Sequence, residues 1–164
     1  MNTYDPSAYD KNLCLKPSLG LYFTLAFGIK DFLLIILPAL ASFKSKSTSL
    51  DYLADLVQPE MFLADLMVIL VWLALLNRDP NAKVLWRNVW SKGRLLLILA
   101  FSLHAAVLLG EQLYAINQVV NWQRALDLKL VYMLIINLIF LGNLLTSQRI
   151  KDTFADWPKR ESAC

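Results

Sequence analysis

The sequence predicts an all-α integral membrane bundle of about four transmembrane helices with a short amphipathic cytoplasmic helix. Three observations predict it. Of 164 residues, 57% are hydrophobic and only 18% charged, where a soluble domain carries about 25% charged residues, and mean hydropathy is +0.48. The apolar residues gather into four runs, each near the ~20 residues that cross a bilayer core. Lys and Arg collect in alternate connections between those runs. Length allows one membrane domain over 1–164 and no separate soluble one.

Residues 1–17 hold Asp5, Asp10, Lys11 and Lys16 without an apolar run, so they lack the core of a cleavable signal peptide. The first span is expected over about 19–41, entered through Pro17-Ser18, because proline suits a first helical turn and serine caps it. The second, about 61–76, follows Pro59-Glu60 and is short, so 50–57 is a candidate interfacial turn; Asn77-Arg78-Asp79-Pro80 ends it. The third is expected over about 95–113 after Lys92-Gly93-Arg94. The fourth, about 128–145, starts after Asp127 and stops at Thr146-Ser147, leaving a tail over 146–164.

Orientation follows from the basic residues. The N-terminus, the middle loop (Arg78, Lys83, Arg87, Lys92, Arg94) and the tail together hold eleven; the other side holds four, Lys44, Lys46, Arg124 and Lys129. Eleven against four places both termini and the middle loop in the cytoplasm. Within that loop, Val84, Leu85, Trp86, Val89 and Trp90 recur near helical spacing, with Arg87 and Lys92 able to reach headgroups. This predicts a lipid-surface helix carried by Trp86, Arg87, Trp90 and Lys92; a solvated loop that merely obeys the positive-inside rule is the bland alternative. In the tail, Phe154 and Trp157 lie three apart before Pro158, which fits a short turn packed back on bundle or bilayer, the alternative being a frayed end. Cys14 and Cys164, far apart and without metal-ligand spacing, read as free thiols of a reducing compartment.

Two segments carry a resemblance: Tyr9-Asp10-Lys11-Asn12-Leu13-Cys14-Leu15-Lys16-Pro17 near the start, and Ser147-Gln148-Arg149-Ile150-Lys151-Asp152-Thr153-Phe154-Ala155-Asp156-Trp157-Pro158 near the end. With the spacing of the spans, the chain resembles the YfeZ-like family of small bacterial inner-membrane proteins of unknown function. The resemblance implies a Gram-negative inner membrane and no particular activity, substrate, cofactor or catalytic residue.

An ionisable group inside a span costs about 2.5–3.5 kcal/mol on insertion scales and calls for a reason. Lys30 and Asp31 fall mid-way along the first run, Asp65 in the outer part of the second, His104 in the middle of the third, Glu111 near its outer end; Asn137 arrives from the fourth. Gly20, Thr24 and Gly28, spaced by four, form a small-residue stripe that permits close helix contact and turns Asp31 toward an interface. Lys30, too deep to snorkel, is expected to meet Asp31, Asp65 or Glu111, with Asp65 within reach before Glu111. His104 and Glu111, seven apart, share a face: a ladder for protons or a metal, or simply a histidine hydrogen-bonded in a core and a glutamate at the interface. Asn137 and Asn143 suit interhelical hydrogen bonds.

No H-E-x-x-H, G-x-S-x-G or phosphate-cradling glycine loop occurs, so no enzyme activity, cofactor or metal is expected. The expected partners are membrane lipids and either another membrane protein or a second copy of the chain, not nucleic acid. The favoured function is a non-enzymatic accessory or assembly protein, docking by its small-residue stripe and cytoplasmic aromatics. The alternative is an oligomeric small-solute or ion transporter or channel that uses the intramembrane polar cluster.

Overall fold

The computed structural model describes residues 4–10, 14–30, 32–33, 36, 61–118 and 128–158. These hold a 3-10 turn (Pro6–Ala8) and six α-helices: α1 Leu19–Gly28, α2 Phe62–Leu76, α3 Val84–Ser91, α4 Gly93–Gln118, α5 Leu128–Thr146 and α6 Gln148–Ala155. No strand forms among them beyond an isolated antiparallel bridge between Tyr9 and Leu15. The expectation of an all-α chain is met; that of four full spans is met in two helices. Gly93–Tyr114 and Leu128–Thr146, with mean hydropathy 1.9 and 2.0, are long and apolar enough to cross a membrane, while α1 and α2 are shorter apolar helices. Asp31, the stretch 50–57, the far part of the first expected span and the basic residues at 44, 46 and 124 lie outside the described residues.

α1 starts where expected, with the Ser18 hydroxyl accepting from the Leu21 amide at 3.2 Å. It stops at Gly28. Ile29, at φ −100 and ψ 6, leaves the helix, and helical structure resumes at Lys30, Phe32 and Leu33. α2 ends in a cap at Asn77, and a turn through Asp79 to Ala82 leads into α3, which continues through Lys92 almost directly into α4.

α4 is the central helix, packed against α2 on one side and α5 on the other. Two contacts fix an antiparallel register between α4 and α5. At one end Arg94 donates from Nε to the Leu144 carbonyl (2.9 Å) and from Nη2 to that of Leu145 (2.8 Å). Further along, the Phe101 and Phe140 rings meet at 6.0 Å. Phe27 of α1 stacks on both, 6.3 and 5.1 Å away, so three helices close around one aromatic layer. The remaining core is aliphatic, with Leu21, Leu25, Val68, Val71, Leu97 and Leu144 fully buried.

The small-residue stripe does its work inside the chain. The Asn143 amide lies 3.1 Å from where a Cβ on Gly20 would stand, Thr24 is fully buried with its hydroxyl donating to the Gly20 carbonyl, and a Cβ on Gly28 would stand 2.9 Å from Val68. Gly28→Ala is therefore expected to overpack the α1–α2 contact and lower stability by about 1–3 kcal/mol, with Val68→Ala in the same chain recovering part of the loss. Thermal unfolding of the two variants in detergent checks this.

α5 is apolar yet hardly buried. Only 11% of its length lies inside the protein, and Tyr132, Ile135, Ile136, Leu138 and Ile139 face outward. Such a helix leaves an apolar surface too large for water to tolerate alone.

Candidate functional site

The predicted polar residues include a pair in direct contact. Asp65 and His104 meet: Nε2 of His104 is 3.2 Å from Oδ1 of Asp65, with both side chains 2% exposed. Each lies eleven residues from its helix end at the α3 side, Leu76 for α2 and Gly93 for α4. At 1.5 Å per residue both are thus about 16 Å from that end, which is how residues 39 apart in sequence come to one level. Asp65 also stands in the first turn of α2, where a carboxylate suits the helix dipole. On the α3 side the pair rests on the aromatic layer, with the His104 ring edge-on to Phe101 at 6.0 Å.

Lys30 is not the partner of Asp65; its Nζ lies 5.4 Å from the centre of the Phe27 ring. The reason is depth. α2 begins close to Asp65, so that carboxylate stands level with His104 rather than nearer the outer end. Glu111 is half-buried two turns beyond His104 on α4. Asn137 is 1% exposed, its Oδ1 is without a hydrogen-bond partner among the described residues, and the α4–α5 register sets it level with His104.

At the other end, the residues expected at the lipid surface divide. Arg87 and Lys92 are exposed and Trp86 is half-buried, but Trp90 is 1% exposed and held by protein. Its indole N–H is 3.1 Å from the carbonyls of both Thr153 and Asp156, and its ring lies 4.6 Å from Phe154. The apolar stripe of α3 had two possible partners, lipid and tail, and at Trp90 the tail took it. Phe154 in turn fits against Gly93, where a Cβ would come within 2.5 Å of its ring.

This tail contact is half of a larger cap. Arg78 donates from Nη1 to the Leu15 carbonyl (3.0 Å) and from Nη2 to the Asp156 carbonyl (3.1 Å), and its guanidinium stands 5.0 Å from the Trp90 ring. The Asp156 carboxylate, 4.0 Å from Arg78, accepts the Leu15 amide at 2.7 Å. Tyr4 donates its hydroxyl to Asp152 at 2.7 Å, which pushes the phenol above its ordinary range. Both ends of the chain and the α2–α3 turn are thereby tied to one face. Sequence reasoning missed Arg78 and Asp156 as organisers, since one read as a span boundary and the other as a tail charge.

Cys14 sits in this cap, 3% exposed. Burial, reinforced by the nearby Asp156 carboxylate, pushes its thiol up to about 11. At pH 8 its thiolate is then roughly a hundredfold scarcer than that of an ordinary cysteine, so alkylation is expected to be slow and to rise about tenfold per pH unit toward pH 10. Stopped-time labelling with a maleimide, read at Cys14 by peptide mass, checks this.

Two cavities flank the tail. The larger, about 780 Å³, runs between α3 and the end of the tail, walled by Pro80, Val84, Arg87, Trp90, Trp157 and Pro158. The smaller, about 350 Å³, opens on the first turns of α4.

The family model of a protein of unknown function, DUF2919, matches residues 4–156. The chain belongs to this family. The match begins at Tyr4 and ends at Asp156, both of them cap residues, so the family unit is bundle and cap together. The resemblance drawn from the two terminal segments is met at the level of a family of unknown function. No curated protein and no solved structure matches the chain.

Proposed function

We propose that the chain is a four-pass protein of a bacterial inner membrane, with termini and middle loop cytoplasmic, serving as a non-enzymatic accessory or assembly partner of another membrane protein. α5, apolar along its length and largely unburied, supports the membrane reading, since lipid is the solvent that face needs. α1 and α4 leave the cap and α2 and α5 return to it, and the cap gathers basic residues, which supports the orientation. A periplasmic reporter fused at Gln123 is expected to be active and one fused after Ala82 silent.

The single observation behind the accessory role is the larger cavity. Among the described residues its walls come from α3, the α2–α3 turn and the tail, the side that this reading assigns to the cytoplasm, and Trp90 among them is held by its two hydrogen bonds. The small-residue stripe, by contrast, is consumed within the chain and leaves this groove as the docking surface. A photo-crosslinking residue placed at Val84 should give one discrete heterologous protein adduct in cells, lost in Trp157→Ala, while the same probe at Tyr132 gives none. An adduct at twice the chain's own mass would replace this reading with self-association.

A second reading, an oligomeric transporter or channel, draws on the His104–Asp65 pair. At about 16 Å from the cap-side helix ends the pair would lie near the bilayer midplane, and α1 breaks at a similar depth. Proton-coupled flux in proteoliposomes, abolished by Asp65→Asn, would favour it.

A further inference from the structure

We infer that the chain holds one anionic phospholipid at a defined site between the first turns of α4 and the tail helix α6, an inference that rests on the membrane reading above. The cavity of about 350 Å³ there is lined by two cations, Arg94 and Lys151, and by Leu95, Ile98 and Phe154 as apolar walls, with Ser91 adding a hydroxyl. No carboxylate among the described residues lines it. The described acids of the tail are engaged elsewhere: Asp152 accepts from Tyr4 and Gln148, and Asp156 from Leu15.

The cations are placed differently, and both placements suit a phosphodiester. Arg94 is fixed, because Nε and Nη2 are bound to the last carbonyls of α5. That leaves its second Nη group, on the opposite edge of the planar guanidinium, for an anion. Lys151 is exposed on α6 and lines the same cavity with a flexible stem.

What continues from the cavity decides between a soluble anion and a lipid. Leu95 and Leu99, one helical turn apart, are 57% and 49% exposed along α4, and α4 is one of the two helices long and apolar enough to span. An occupant with a charged head and an apolar tail matches the whole surface. Inorganic phosphate matches only its cations. The larger cavity lacks this continuation, since no residue of α4 lines it.

The test is native mass spectrometry of the detergent-purified chain with phosphatidylglycerol or phosphatidylcholine of identical acyl chains. Each basic group at an anionic interface contributes on the order of fivefold in affinity, so the two together predict a preference of roughly 30-fold for the anionic lipid at a stoichiometry of one. Lys151→Glu should abolish that preference, whereas Lys83→Glu, outside the cavity, should leave it. Lys151 is the deciding position because Arg94 also holds α5. Equal retention of both lipids, or parent-like retention by Lys151→Glu, overturns the site while leaving the membrane reading intact. Competition by inorganic phosphate with equal potency overturns the lipid as occupant. A chain recovered in the aqueous fraction without detergent overturns the membrane reading and the site with it.

Discussion

Asp65→Leu is expected to destabilise the protein by about 3–5 kcal/mol, because it leaves His104, 2% exposed and 3.2 Å from the lost carboxylate, buried without its partner. The surroundings offer little repair. Phe101 stands edge-on to the imidazole, and the layer it forms with Phe27 and Phe140 closes the α3 side to water. The compensating change lies across the helix contact: Asp65→Leu with His104→Leu removes both polar groups and should regain most of the loss, since a buried pair replaced by apolar residues of similar volume is often neutral or better. Lys30→Met should bring no such recovery, as Lys30 meets Phe27 rather than Asp65. Unfolding in a series of detergent-to-denaturant mixtures measures all four chains. Parent-like stability of the single Asp65→Leu variant would mean that water reaches the pair, and would move the transport reading ahead of the accessory one.

Trp90→Ala is expected to cost about as much, 3–5 kcal/mol, and to act at a distance from the Asp65–His104 pair. The substitution empties the floor of the cap, removes the aromatic partner of Phe154 and Arg78, and strips the shared donor from the Thr153 and Asp156 carbonyls. Trp90→Phe separates these effects. It keeps one ring under Phe154 while losing the indole N–H and part of the buried volume, for about 1–3 kcal/mol. Limited proteolysis should report the difference directly, with cleavage after Lys151 fast in the alanine variant, intermediate in phenylalanine and slow in the parent. Equal cleavage in all three would show that the tail is anchored without Trp90.

The helices were legible in the sequence wherever periodicity and punctuation agreed. α4 and α5 fall within a few residues of their expected bounds, and α3 was visible in the spacing of Val84, Trp86, Val89 and Trp90. What periodicity does not encode is which neighbour an apolar face will meet, and Trp90 is the case in point: the same pattern suits an inner leaflet and a folded tail. The His104–Asp65 pair had no motif to reveal it. A signal existed nonetheless, because both residues stand eleven positions from the same end of antiparallel helices; it was hidden by treating the second run as a complete span, which placed Asp65 too far out. Arg78 was illegible for another reason: its acceptors are backbone carbonyls of Leu15 and Asp156, and carbonyls leave no trace in residue identity.

The cap also bears on the order in which the protein is made. Tyr4 bonds a residue 148 positions away and Leu15 one 141 away, so these contacts wait until everything between the partners has been made. The helices between them emerge first; the latch closes behind them, and contacts of such long range form late. Until then the Arg78 guanidinium and the Trp90 indole remain without the carbonyls that later satisfy them. A chain interrupted before Asp156 keeps that aromatic and basic surface on display, and one whose cap has closed hides it. The closed cap is in this sense a mark of finished biogenesis, carried by the same few side chains that hold the fold.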